Sequence, residues 1–165
     1  MELLIVRHAI AFEADARRWP DDGERPLSPQ GIARARKAAA GLKQLVRAPG
    51  RVLVSPLLRA RQTSAILTEA AGWPRASDCP ELAPGSSPEA LLAVLKRMPE
   101  SRIAVIGHEP GLGRLVAASL AGSPAAQGFR FRKMGAALLT FPGAARAGGA
   151  HLEWLVPARV LRAAR

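Results

Sequence analysis

The sequence predicts an α/β fold, a mainly parallel sheet covered by helices on both faces, and three observations carry that reading. First, residues 3–6, 51–54 and 103–106 are short apolar runs rather than alternating ones, as expected of strands buried on both sides. Second, segments with apolar residues at helical spacing lie between them, which makes neighbouring strands parallel. Third, residues 129–132 and 151–156 alternate apolar and polar around an apolar run at 136–141, predicting antiparallel additions at a sheet edge near the C-terminus. The chain has 165 residues and is 48% apolar, so one domain spanning 1–165 with its own core is expected.

The first strand, residues 3–6, gives way to Arg7 and His8. Ligands of open α/β sheets bind beyond the carboxyl ends of strands. A guanidinium fork suits phosphate oxygens, and an imidazole can be a nucleophile or proton carrier near neutral pH. The pair predicts an anion pocket with a reactive nitrogen at its floor. Residues 10–27, rich in Asp, Pro and Gly, make a loop above that strand end, where Arg25 can reach an anion or stand as a surface cation. Ser28 then caps a helix with Pro29 in its first turn. Ile32, Ala35, Ala39, Leu42 and Val46 form its apolar face, Gly41 weakens it slightly, and Pro49-Gly50 ends it.

The second strand, 51–54, ends at Ser55-Pro56, and Pro56 fits the first turn of a helix running to Gly72. Arg59 lies one turn in, where free N–H groups and the helix dipole favour an anion. Arg61 points about 200° away from it, so only one of the two faces the pocket, and Arg59 is the choice. Residues 75–84 read as a short strand or extended piece, and Ser87-Pro88 opens another helix, stopped at Met98-Pro99. The third strand, 103–106, repeats the opening pattern: an apolar run, the spacer Gly107, then His108. A helix over 112–120 follows. His151 starts an alternating strand with no partner cluster and reads as an exposed structural residue.

The net charge of +11 comes almost wholly from Arg scattered along the chain, and Tyr is absent. With so few aromatic platforms, nucleic acid is not expected as a partner. The charge reads as a solvated basic surface that also favours a phosphorylated partner. No apolar run is long enough to span a bilayer, so no membrane partner is expected. Glu2 and the brevity of the first apolar run argue against a secretory leader, and the lone Cys79 suits a reducing cytoplasm. One Cys and no carboxylate cluster at ligand spacing make a metal or other cofactor unexpected. Leu112 replaces the residue that a phosphate-binding Walker loop or a zincin would need, and Val116 that of a dinucleotide-binding loop. Arg and His therefore carry the charge neutralisation.

Three stretches, Arg7-His8-Ala9, Ser55-Pro56-Leu57-Leu58-Arg59-Ala60-Arg61-Gln62-Thr63 and Gly107-His108-Glu109-Pro110, together resemble the histidine phosphatase superfamily, the phosphoglycerate mutase-like fold. Arg25-Pro26-Leu27-Ser28-Pro29-Gln30-Gly31 and Pro80-Glu81-Leu82 make the chain similar to the SixA-type phosphohistidine phosphatases. The likeness runs over about residues 1–156. It implies a three-layer α/β/α sandwich in which His8 is phosphorylated and Arg7, Arg59 and a cationic His108 surround the phosphoryl group, without a metal.

Mutases and acid phosphatases of that superfamily also carry a carboxylic acid for the leaving group. Here Glu81 is the candidate, ahead of Asp78 and Glu89. A phosphoramidate relaxes the need for an acid, because imidazole leaves more easily than an alkoxide. The implied substrate is therefore phosphohistidine on a signalling protein, such as a histidine-containing phosphotransfer domain, acted on by a monomer. A small phosphomonoesterase or mutase-like phosphatase is the alternative within enzymes. A non-catalytic anion-binding domain is the alternative outside them.

Overall fold

In the computed structural model, which describes residues 1–125 and 128–164, the chain runs β1 (Glu2–Arg7), α1 (Pro29–Leu45), β2 (Arg51–Val54), α2 (Leu58–Ala71), β3 (Ser77–Asp78), α3 (Pro88–Lys96), β4 (Arg102–Gly107), α4 (Gly111–Ala121), β5 (Ala136–Thr140), β6 (His151–Val156) and α5 (Ala158–Ala163). Six strands form one sheet in the order β3-β2-β4-β1-β5-β6. The contacts among β1, β2, β3 and β4 are parallel, whereas β5 and β6 join antiparallel at one side. This is the expected α/β/α sandwich with antiparallel additions.

The apolar run in β1 is continuous because both sheet faces are covered. Leu4 and Val6 pack beneath α1, α2 and α5 with Leu42, Leu67 and Leu161, whereas Leu3 and Ile5 pack beneath α3 and α4 with Leu95 and Leu115. All four are 0% exposed, each contributing about 1.5–3 kcal/mol of hydrophobic stabilisation. Ser28 and Ser87 cap α1 and α3 by accepting from the Gly31 and Ala90 amides. No helix of the described residues is long and apolar enough to cross a membrane.

Three local expectations change. Residues 129–132 are not a strand. The Phe131 amide donates to the Glu109 carboxylate and its carbonyl accepts from Arg7, so side chains take the bonds a ladder would need. The alternation instead reflects one anchor, Phe131, buried between exposed arginines. Helix α2 starts at Leu58 rather than Pro56 and has no side-chain cap. Helix α5, absent from the sequence reading, packs against α1 so closely that a Cβ on Gly41 would lie 1.7 Å from the Leu161 carbonyl oxygen. Gly41 is thus a packing requirement as well as a local weakness.

Candidate active site

Parallel pairing of β1 with β4 aligns Arg7 with Gly107, so the next residue of each strand, His8 and His108, emerges at the same edge of the sheet. The His8 amide donates to the Gly107 carbonyl at 3.1 Å, and the two imidazole centroids stand 4.8 Å apart at 50°. Strand β2 lies on the other side of β4 and delivers Ser55, whose amide donates to the Ile106 carbonyl at 2.9 Å. One strand-end cleft thereby gathers groups some fifty and a hundred residues apart in sequence.

Each ring is held by a different partner. His8 Nδ1 lies 2.7 Å from the Ala9 carbonyl, which can only accept, so Nδ1 carries the proton and Nε2 keeps its lone pair. Lys133 Nζ donates to that Nε2 at 3.2 Å. Ala9 is fixed from α2: its amide donates to Thr63 Oγ1 at 3.0 Å, and Thr63 donates to the Arg59 carbonyl at 2.7 Å. His108 Nε2 shares a 2.8 Å hydrogen bond with Ser55 Oγ, whereas its Nδ1 is buried without a partner among the described residues.

The two guanidiniums are also anchored. Arg7 donates to the Phe131 carbonyl at 2.7 Å. Arg59, only 5% exposed, donates to the Asp22 carbonyl at 2.7 Å and pairs with the Asp22 carboxylate at 3.1 Å. Arg61, two residues on, points outward to an exposed ion pair with Asp78. Arg25 sits beside Arg59 through the shared Asp22, at 2.7 Å, and donates to the Phe12 carbonyl. Glu81 lies at the margin: it accepts from Cys79 Sγ at 3.2 Å and lines a small cavity with His108, bonding to neither histidine nor to Arg7 or Arg59.

Electrostatics make both imidazoles neutral at pH 7. Burial, then the charges of Lys133 and His108, push His8 down to about 2. Burial, then Arg59, Lys133 and Arg7, push His108 down to about 3, so the expected cationic His108 is not what this cluster holds by itself. Burial and the neighbouring arginines lower Lys133 to about 8, which leaves it mostly charged at neutral pH. The result is a neutral nucleophilic nitrogen among three cations, an arrangement suited to attack on an anionic phosphorus.

Lys133 and Asp22 were not among the sequence candidates. Lys133 follows the residues read as a strand, and its position beside His8 depends on the Met134 amide bonding to the Arg7 and His8 carbonyls. Asp22 was one of several loop acids; nothing local separates it from Asp15 or Asp21.

Known proteins resemble this chain in sequence and fold. A family model described as the histidine phosphatase superfamily (branch 1) matches residues 3–83. The phosphohistidine phosphatase SixA of Escherichia coli K12 is 35% identical over 121 residues, covering 71% of this chain and 73% of that protein. An uncharacterised protein of Picosynechococcus is 42% identical over 116 residues, 68% of this chain and 69% of its own. The structure of the protein histidine phosphatase SixA complexed with tungstate superposes with a TM-score of 0.83 at 31% identity, covering 98% and 99% of the two chains. On the strand-end cleft and on these likenesses, the chain belongs to the histidine phosphatase superfamily, among its SixA-type members.

Proposed function

We propose that this chain hydrolyses phosphohistidine on a protein through a covalent phosphohistidine at His8. The observation that carries the reading is the neutral His8 ring, 4.8 Å from His108, its Nε2 lone pair accepting from Lys133 rather than bearing a proton. The superfamily implies phosphatase activity. A SixA relative is a complex with tungstate, a tetrahedral oxyanion shaped like phosphate.

In the first step His8 Nε2 attacks phosphorus, the P–N bond of the substrate breaks in line, and the departing imidazole takes up a proton from solvent. Lys133 gives up its bond to Nε2 and turns to an equatorial oxygen, alongside Arg7 and Arg59. Arg7 Nε, Arg59 Nε and His108 Nδ1, all buried and unpartnered among the described residues, suit the same multidentate acceptor. A phosphoryl dianion offsets the surrounding cations, so His108 gains a proton only when charge develops beside it. In the second step water attacks phosphorus, the P–Nε2 bond breaks, and phosphate leaves with His8 restored. Arg25 braces Asp22 and through it Arg59. Glu81, which lines a small cavity with His108, is the acid offered to an oxygen leaving group, a need that phosphohistidine removes. No step requires a metal.

The test is rapid mixing with a radiolabelled phosphohistidine protein, followed by denaturation. An acid-labile, base-stable phosphate on His8 that disappears in His8→Ala supports the reading. Turnover of sugar phosphates with no turnover of phosphohistidine overturns the substrate, and turnover undiminished in His8→Ala overturns the intermediate.

A further inference from the structure

Beside the nucleophile, a cleft of about 680 Å³ opens between α1, the 130–133 segment, the end of β6 and α5. It shares Lys133 with the active site, and its wall includes Ile10, two residues past His8. Six cations line it, Arg34, Arg130, Arg132, Lys133, Arg159 and Arg162, and no carboxylate does. None of the six forms an ion pair among the described residues, whereas Arg25, Arg36, Arg51, Arg59, Arg61 and Arg102 all do. Leu155, Val156 and Pro157 supply apolar surface between the charges. All five arginines of the cleft are exposed.

Cations gathered this way repel one another, and solvent screens that cost only in part. A phosphoryl group alone does not explain them, because the cleft extends well past the reach of Lys133 and His8. Arginine-lined surfaces with apolar patches recognise acidic polypeptide through bidentate pairs along its length. We propose that this cleft docks an acidic segment of the phosphohistidine-bearing protein, next to the histidine that enters the active site. The proposal rests on the phosphohistidine reading above and assigns its specificity to Arg34 and α5. Steering by the cleft acts on association, so it enters kcat/KM and is salt-sensitive.

The experiment compares free phosphohistidine with two synthetic peptides bearing one phosphohistidine, flanked by glutamates or by glutamines. The glutamate peptide should show about tenfold higher kcat/KM at low ionic strength, with the preference fading at high salt. Arg159→Glu/Arg162→Glu should erase the preference and leave free phosphohistidine turnover unchanged; Arg34→Glu, on a different helix, should reduce it independently. Equal turnover of both peptides, or a preference intact in the variants, overturns the docking surface. If no phosphohistidine is hydrolysed at all, the catalytic reading fails, and fluorescence anisotropy of the unphosphorylated glutamate peptide decides the cleft. Binding lost in the α5 variant upholds it. Binding unchanged there, or a single-stranded oligonucleotide of equal charge binding more tightly, overturns it.

Discussion

The ends of β1 and β4 carry the same short pattern, four buried aliphatics, a spacer and a histidine, and lie side by side in register, yet their imidazoles differ. His8 is tied at Nδ1 by the carbonyl of its own neighbour, Ala9, which leaves Nε2 to accept from Lys133. His108 is tied at Nε2 by Ser55 from another strand, and its Nδ1 is the unpartnered atom. The two rings therefore present different nitrogens to different partners. A shared motif thus places a histidine, and long-range contacts decide which of its nitrogens is engaged.

The largest way to break this comparison is to remove each ring in turn. His8→Ala should lower phosphatase activity by at least about 10⁴-fold and abolish the trapped phosphate. His108→Ala should cost less, about 10²- to 10³-fold, and should still accumulate a slowly formed phosphoenzyme in single-turnover quench. Equal losses with no phosphoenzyme in either variant would mean the rings act as one unit.

Lys133 sharpens the contrast, since it bonds to His8 alone. Lys133→Met should reduce kcat/KM by about 10- to 100-fold. Because Lys133 titrates near 8, its charge is present below that pH and lost above it. Wild-type kcat/KM should therefore fall on the alkaline side with an apparent pKa near 8, and Lys133→Arg should move that limb out of range.

The smallest effect concerns stability. Both rings are neutral in the folded chain at pH values where unfolded histidine, titrating near about 6.5, takes up a proton. The unfolded state then binds more protons, so stability should decline as pH falls from about 6.5 toward 3. Urea midpoints measured across that range should slope less steeply in His8→Ala and in His108→Ala than in wild type.

Much of the fold was legible because a buried parallel strand has no freedom to be polar. The runs around Leu4, Val52 and Ala104 could be read without knowing what covered them. That Arg59 and Arg61 point in different directions was legible from helical geometry. What escaped lay where long-range contacts override local pattern: alternation around Phe131 mimicked a strand while Glu109 and Arg7 claimed its backbone, and α5 is a short helix docked on Gly41. Lys133 escaped for the same reason, since its place beside His8 is set by the backbone of Met134.

Taken alone, the order of residues determined which strands are buried, and that a His follows two of them and Ser55, then Arg59, a third. Period and polarity are local properties, and water enforces them segment by segment. Only tertiary structure decided that His8 and His108 are adjacent, which partner each ring nitrogen meets, and that burial and neighbouring charges favour the neutral form of both. Protonation and tautomer depend on burial and on charges brought from distant parts of the chain, and those exist only once the sheet has formed.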